Sequence, residues 1–323
     1  MFVRELIEGQ EVDLVLLVRR REERVRRDGG NYLKLTLADR TGSLAAVCLD
    51  GVPEGCDHGI AVRVAGSFSV HPRYGAQLAI RTVRPAHPQE TDMDRLLDGP
   101  PRSADLMEAD LRQLLATIQC PHLCVLLDRV FGEHSETWQL FRRAPAAKFF
   151  HQAYRHGLLE HCLTVAQSVS ATSATFPGID RDVAVTGALL HDIGKLEAYT
   201  NEPVAIDMTD LGKLHGEIPL GYYRIRRLIE DLPGFPARTA TAVLHIILSH
   251  HGSLEHGSPV VPCTREATLV HMCDNLGGKL GSFDRIEKEL PDGAAWSGFD
   301  RAIGSGAWFA ARDEQAERAA QAA

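Results

Sequence analysis

The sequence has no apolar run long enough to cross a membrane. The longest, such as Val12 to Val18, contains Asp13 and falls far short of the roughly 20 residues that a spanning helix needs. The opening segment also lacks the order of a secretory signal, because acidic residues run through it and the arginine cluster follows the apolar stretch. These absences predict a cytoplasmic protein that does not associate with membranes. Cysteine is too sparse and scattered for a disulfide framework. Cys48, Cys56, Cys120, Cys124, Cys162, Cys263 and Cys273 are odd in number and are expected to be reduced. Cys120 and Cys124 have no second Cys/His pair of suitable spacing nearby, so a zinc site there is not expected. Excess positive charge is missing too. A net charge of −8 argues against a surface that grips nucleic acid everywhere, although residues 1–90 hold 13 Lys/Arg against 12 Asp/Glu and the remainder carries −9. No internal repeat is present.

What is there divides in two. A chain of 323 residues is long for one core and comfortable for two. From Glu11 to Pro85 apolar residues alternate or cluster between turn signals, which predicts strands at Val12–Val18, Tyr32–Leu37, Leu44–Leu49, Ile60–Phe68 and Gln77–Val83. Five short strands, with room for a helical turn between the third and fourth, predict an OB-type β-barrel over residues 1–87. Four prolines between Pro85 and Ser103 predict a linker at 88–105. Helical periodicity then dominates, predicting an all-α domain at 106–290 and a C-terminal extension at 291–323, frayed or disordered from Arg312.

The helical half carries the chemistry. Gly187-Ala-Leu-Leu-His-Asp-Ile-Gly-Lys195 puts His191 and Asp192 in adjacent positions on an apolar helix, about 100° apart around its axis, so an imidazole and a carboxylate can grip one cation from two sides. A His-Asp dipeptide is weak evidence alone. Four more clusters add weight: His161, His215, the pair His250/His251 and Asp274 each lie on or at the end of a helical segment, and a bundle can aim such residues at one interior point.

This H…HD…H…H…D order over roughly residues 150–280 resembles the HD superfamily of metal-dependent phosphohydrolases. Ala146-Ala-Lys-Phe-Phe-His-Gln-Ala-Tyr-Arg-His-Gly-Leu-Leu-Glu-His161, Thr186-Gly-Ala-Leu-Leu-His-Asp-Ile-Gly-Lys195, Leu244-His-Ile-Ile-Leu-Ser-His-His-Gly252 and Asp274-Asn-Leu, behind an OB-like barrel, resemble the YhaM-type 3′-to-5′ exoribonucleases. Three departures stand out. His156 occupies a position that is glycine in that family, Gly277-Gly278 replaces a more polar pair, and Val47-Cys48-Leu49 lacks the tryptophan expected after the third strand.

The resemblance implies two divalent ions, with Mn²⁺ favoured and Fe²⁺, Co²⁺ or Zn²⁺ as alternatives. His161, His191, Asp192 and Asp274 would hold the first. Asp192 would bridge to a second held by His215 and one or both of His250 and His251. Asp192 and Lys195 are the expected catalytic residues. Lys195, at i+4 from His191, would reach a phosphoryl oxygen, against the plainer alternative of a solvated lysine at a helix end. His151 is a candidate substrate contact, whereas His122, His245, His256 and His271 are expected to be ordinary surface or core residues. Cys162 and Cys273 are expected to be packing residues.

In the barrel, Arg19, Arg20, Arg21, Arg24, Arg26 and Arg27 are expected in a loop bordering the nucleic-acid face, with Tyr32, Phe68 and Tyr74 as stacking candidates. The leading expectation is removal of nucleoside 5′-monophosphates from the 3′ end of single-stranded RNA, with single-stranded DNA as a second polymer. The alternatives are a phosphohydrolase of small nucleotides and a single-strand-binding protein with a vestigial site. A homo-oligomer is left open.

Overall fold

The computed structural model describes all residues except 26–28, 50, 52, 72–74, 98, 149–151, 201–205, 291–293 and 311–323. Two compact units emerge, one essentially Met1–Gly99 and the other running from Pro100 onward.

The first unit is a closed barrel of β1 (Glu11–Val25), β2 (Asn31–Asp39), β3 (Gly42–Cys48), β4 (Ala61–His71) and β5 (Gly75–Pro85) in the order β1-β2-β3-β5-β4, with β4 pairing back to β1. The period-two pattern sets which residues face inward. Leu33, Leu35 and Leu37 of β2, Leu44, Ala46 and Cys48 of β3, and Val62 and Val64 of β4 are buried together in its core. Gly66 sits at a register shift between β4 and β5, where a Cβ would stand 2.1 Å from the Ala79 carbonyl oxygen, so only glycine lets the strands close there. The described residues between β3 and β4 form turns and no helix.

Two expectations for this unit are corrected. The stretch Arg19–Arg24 is not a loop; β1 continues through it, pairing Arg20 with Thr36, Arg21 with Leu35 and Arg24 with Tyr32. Its run of Arg and Glu reads as loop-like charge, but main-chain pairing with β2 holds it as a strand. Phe68 is buried in the barrel core, so it offers no stacking surface. Arg26, Arg27 and Tyr74 lie outside the described residues. In the segment expected as linker, α1 (Met93–Leu96) buries Leu96, together with Leu97, against Leu17 on the barrel's outer face. Arg63 and Arg84 both clamp Glu90 there.

The second unit is helical: α2 (Ala104–Leu115), α3 (Pro121–Phe131), α4 (Glu136–Phe141), α5 (Gly157–Ser173), α6 (Arg181–Leu190), α7 (Lys195–Ala198), α8 (Asp210–His215), α9 (Glu217–Glu230), α10 (Ala237–Ser249) and α11 (Arg265–Glu289). Ser103, Ser135, Asp180, Thr209 and Thr264 each accept a main-chain N–H in the first turn of the helix they cap, satisfying donors that have no intrahelical partner. One feature was not expected: β6 (Trp296–Asp300) and β7 (Ser305–Trp308) pair as a hairpin in the C-terminal extension. Strands this short, interrupted by Gly298 and Gly306, leave too little alternation to read from sequence. The tail expected to be frayed lies outside the described residues. All seven cysteines are free thiols, and no helix among the described residues is long and apolar enough to cross a membrane.

Candidate metal centre

Small residues bring the helices of the second unit close enough for their polar side chains to meet. A Cβ on Gly187 of α6 would stand 2.3 Å from the Ile246 side chain of α10, and one on Gly194 would stand 2.0 Å from the Glu217 carbonyl oxygen. The glycine of the His191–Lys195 segment therefore lets the first turn of α9 pack directly onto it. Gly252, at φ +82°, lies against the His271 ring, whose Nδ1 meets the His250 carbonyl at 2.8 Å.

Around these contacts His161 (α5), His191 (C-cap of α6), Asp192, His250 (C-cap of α10) and Asp274 (α11) converge. His161 is 5 % exposed, His191 1 %, Asp192 2 % and His250 1 %. Burying so many polar groups is costly unless each is matched by a partner. His161 Nε2 lies 3.2 Å from Asp192 Oδ2, 3.1 Å from Asp274 Oδ1 and 3.2 Å from His191 Nε2. On the other side, His250 Nε2 lies 3.5 Å from Asp192 Oδ1, and Glu217 Oε1 lies 3.3 Å from His251 Nε2.

The orientation of the rings decides what can sit between them. Each Nδ1 meets an oxygen acceptor: Gln152 Oε1 at 3.1 Å for His161, Ala188 O at 2.7 Å for His191, Ile247 O at 2.8 Å for His250 and His256 O at 2.9 Å for His251. A neutral imidazole has one N–H, so in the neutral state a ring that donates through Nδ1 to these oxygens turns its Nε2 lone pair inward, free for a cation. Two lone pairs facing each other at 3.2 Å, ringed by carboxylates, call for a cation. Asp192 Oδ1 and His250 Nε2 are buried without any hydrogen-bond partner, so this side too presents donor atoms that a cation would satisfy. Among the described residues three groups, His161/His191/Asp192, His191/His250/Asp274 and Glu217/His250/His251, each have their donor atoms within 4.8 Å of one another. Oxygen and imidazole donors suit Mn²⁺, Fe²⁺ or Zn²⁺.

The carboxylates make the same pocket attractive to positive charge of any kind, protons included. Burial alone lowers the His161 pKa, but hydrogen bonds with Asp192 and Asp274 outweigh it and push it up to about 9. Asp274, which burial alone would raise, is held well below the carboxylate range by His161 and His191. His250 is lowered, chiefly by burial. Lys195 is raised despite its burial, because Asp192 and Glu217 stand beside it and its Nζ donates to Asp192 Oδ2 at 2.7 Å.

Of the residues singled out in the sequence, His161, His191, Asp192, His250, His251, Asp274 and Lys195 come together. His215 does not: it is exposed at the end of α8 and belongs to none of the donor groups among the described residues. Glu217, two residues on, lies instead with His250 and His251 in one donor group. Gly216, at φ +77°, breaks the chain between α8 and α9 and turns Glu217 inward. The signal for Glu217 was the pair Gly194 and Gly221, whose lack of side chains allows the close approach. His151 lies outside the described residues. His156 has φ +70°, in the left-handed region that favours glycine.

A model of the HD domain family matches residues 158–277. Among curated relatives, the chain is similar to the 3′-5′ exoribonuclease YhaM of Geobacillus sp. (strain WCH70), with 32% identity over 293 residues that cover 88% of this chain and 87% of that protein.

Proposed function

Because the chain belongs to the YhaM-type family of HD-domain proteins, we propose that it is a metal-dependent 3′-to-5′ exonuclease that shortens single-stranded RNA to nucleoside 5′-monophosphates. The observation that carries this is the ring of inward-facing Nε2 atoms around Asp192, whose two carboxylate oxygens face different donor sets. Oδ2 faces His161 and His191, with Asp274 beside them, and Oδ1 faces His250. Asp192 would thus serve with His161, His191 and Asp274 to hold a first divalent ion, and with Glu217, His250 and His251 to hold a second.

Divalent ions there would supply activation of water and electrostatic stabilisation of a phosphodiester undergoing in-line displacement. The chain's own groups do the rest. The imidazoles hold their lone pairs in place without reorganisation, the buried walls exclude bulk water, and Lys195 pins Asp192 with one N–H. An ammonium has three donors, so Lys195 retains N–H groups for a phosphoryl oxygen.

End-labelled oligonucleotides test this. With 5′-labelled RNA and Mn²⁺, a ladder of products shortened one nucleotide at a time from the 3′ end is expected, with single-stranded DNA run alongside. Hydrolysis confined to mononucleotides would point to a small-nucleotide phosphohydrolase. Glu217→Ala is expected to reduce the Mn²⁺ bound per chain from two ions towards one, measured by equilibrium dialysis, and His215→Ala to leave it unchanged. The opposite pattern would return the second site to His215.

The barrel is proposed as the strand grip. Arg19, Arg20, Arg21 and Arg24 stand on the exposed extension of β1, with Arg26 and Arg27 next in sequence and Tyr32 paired opposite Arg24. Glu22 and Glu23 form ion pairs with Arg20, Arg21 and Arg24, but exposed pairs of this kind are weak and yield to a phosphate backbone. Replacing all six arginines with glutamine is expected to weaken binding of long RNA and to flatten its salt dependence, by about 0.7 in log–log slope per lost phosphate contact. Turnover of a dinucleotide should not change. Identical salt profiles for the variant and the parent would remove the barrel from RNA binding.

A further inference from the structure

We propose that Gln152 is a positioning residue that sets the tautomer and orientation of His161, and with them the affinity of the first ion site. The inference rests on the metal-centre reading above.

The four inward-facing imidazoles are not held in the same way. His191 and His250 sit at helix C-caps, where the last carbonyls of α6 and α10 lack intrahelical partners, and each ring takes the carbonyl three residues back, Ala188 O or Ile247 O. His251 takes the carbonyl of His256. These acceptors come with the main chain and survive any substitution. His161 stands inside α5, where the preceding carbonyls are engaged in the helix, so its Nδ1–H needs an acceptor from elsewhere. It finds the Gln152 side-chain oxygen at 3.1 Å, the one side-chain acceptor among the four.

The backbone is shaped to deliver that oxygen. Gln152 has φ +59°, one of two non-glycine residues with positive φ among the described residues. A side-chain-bearing residue keeps such a conformation only where its surroundings hold it. Here the Ala146 N–H donates to the Gln152 carbonyl at 3.1 Å. Gly157 also approaches that carbonyl so closely that a Cβ would stand 2.1 Å from its oxygen. Gly157 and His161 are four residues apart and share a face of α5, so the glycine that admits Gln152 lies directly under the histidine it serves. A neutral amide also suits the place. It fixes the tautomer without adding a further negative charge beside Asp192 and Asp274.

Full-length protein stripped by chelation and titrated with Mn²⁺ by calorimetry tests this. Gln152→Met keeps the side-chain length and removes the acceptor, whereas Gln152→Glu keeps an acceptor. The Met variant is expected to bind the first ion about 10- to 100-fold more weakly, the usual loss when an outer partner of a ligating histidine is removed, with thermal melting of the stripped protein close to that of the parent. The Glu variant is expected to recover parental affinity or exceed it. Parental affinity in Gln152→Met, or equal weakness in both variants, would overturn the role of Gln152 alone. Failure of the stripped parent to bind any divalent ion would overturn the metal centre, and this inference with it.

Discussion

Asp192→Ala is expected to abolish hydrolysis and remove most divalent-ion binding. Every donor group in the centre is arranged about this carboxylate. Its Oδ2 lies 3.2 Å from His161 Nε2, 3.3 Å from His191 Nε2 and 2.7 Å from Lys195 Nζ, and its Oδ1 faces His250 Nε2 at 3.5 Å. Alanine would therefore take a ligand from both proposed ion sites at once. It would also leave Lys195 buried beside only part of its compensating charge. Breaking a buried ion pair from one side costs about 3–5 kcal/mol, an upper bound here because Glu217 also faces the ammonium. Asp192→Asn separates the two effects, since it keeps the shape and loses the charge. Circular dichroism and melting should show Asn folding nearly as the parent does, with Mn²⁺ content and turnover both lost. Parent-like turnover by a folded, remetallated Asp192→Ala protein would remove Asp192 from the chemistry.

Lys195→Ala is expected to lower the single-turnover rate by about 100-fold, the usual loss when one transition-state charge stabiliser is removed. The sign of its effect on ion binding is opposite to that of Asp192→Ala. The ammonium sits against Asp192 Oδ2 at 2.7 Å and so competes with a cation for that oxygen. Removing it should leave Mn²⁺ affinity unchanged or tighter while chemistry slows. A rate equal to the parent's at full metal occupancy would make Lys195 a structural partner of Asp192 and nothing more. Loss of rate in step with loss of metal would have the same consequence.

Part of this is legible in the sequence. Alternation such as Leu33, Leu35 and Leu37 marks a half-buried strand wherever the chain goes next, because side chains on a strand change face at every residue. His191 and Asp192 are adjacent in sequence, so their meeting was legible, but α6 ends at Leu190 with His191 as its C-cap, and Asp192 is placed by the turn beyond rather than by helix geometry. Where the sequence misled, the cause was a local signal with two physical readings. Arg19–Arg24 has the charge of a solvated segment, which suits a loop or an exposed strand equally, and pairing with β2 made it a strand. His215 and Glu217 are both plausible ligands two residues apart. In an unbroken helix they would point about 200° apart, so only one could face the centre.

By itself the sequence determined the kinds of donor atoms available, their order along the chain and the periodicity that makes a barrel followed by helices, because these follow from side-chain chemistry and local backbone geometry. Only the tertiary structure decided which donors meet. The positive φ of Gly216 turned Glu217 inward and left His215 in solvent, and the contact of Gly194 with α9 set how close that carboxylate comes to His251 and Lys195. Which oxygen holds the Nδ1–H of His161 was likewise a matter of long-range packing, through a loop residue nine positions away held in a left-handed conformation. Such choices depend on backbone turns and close approaches between distant segments, and no single stretch of sequence carries that information.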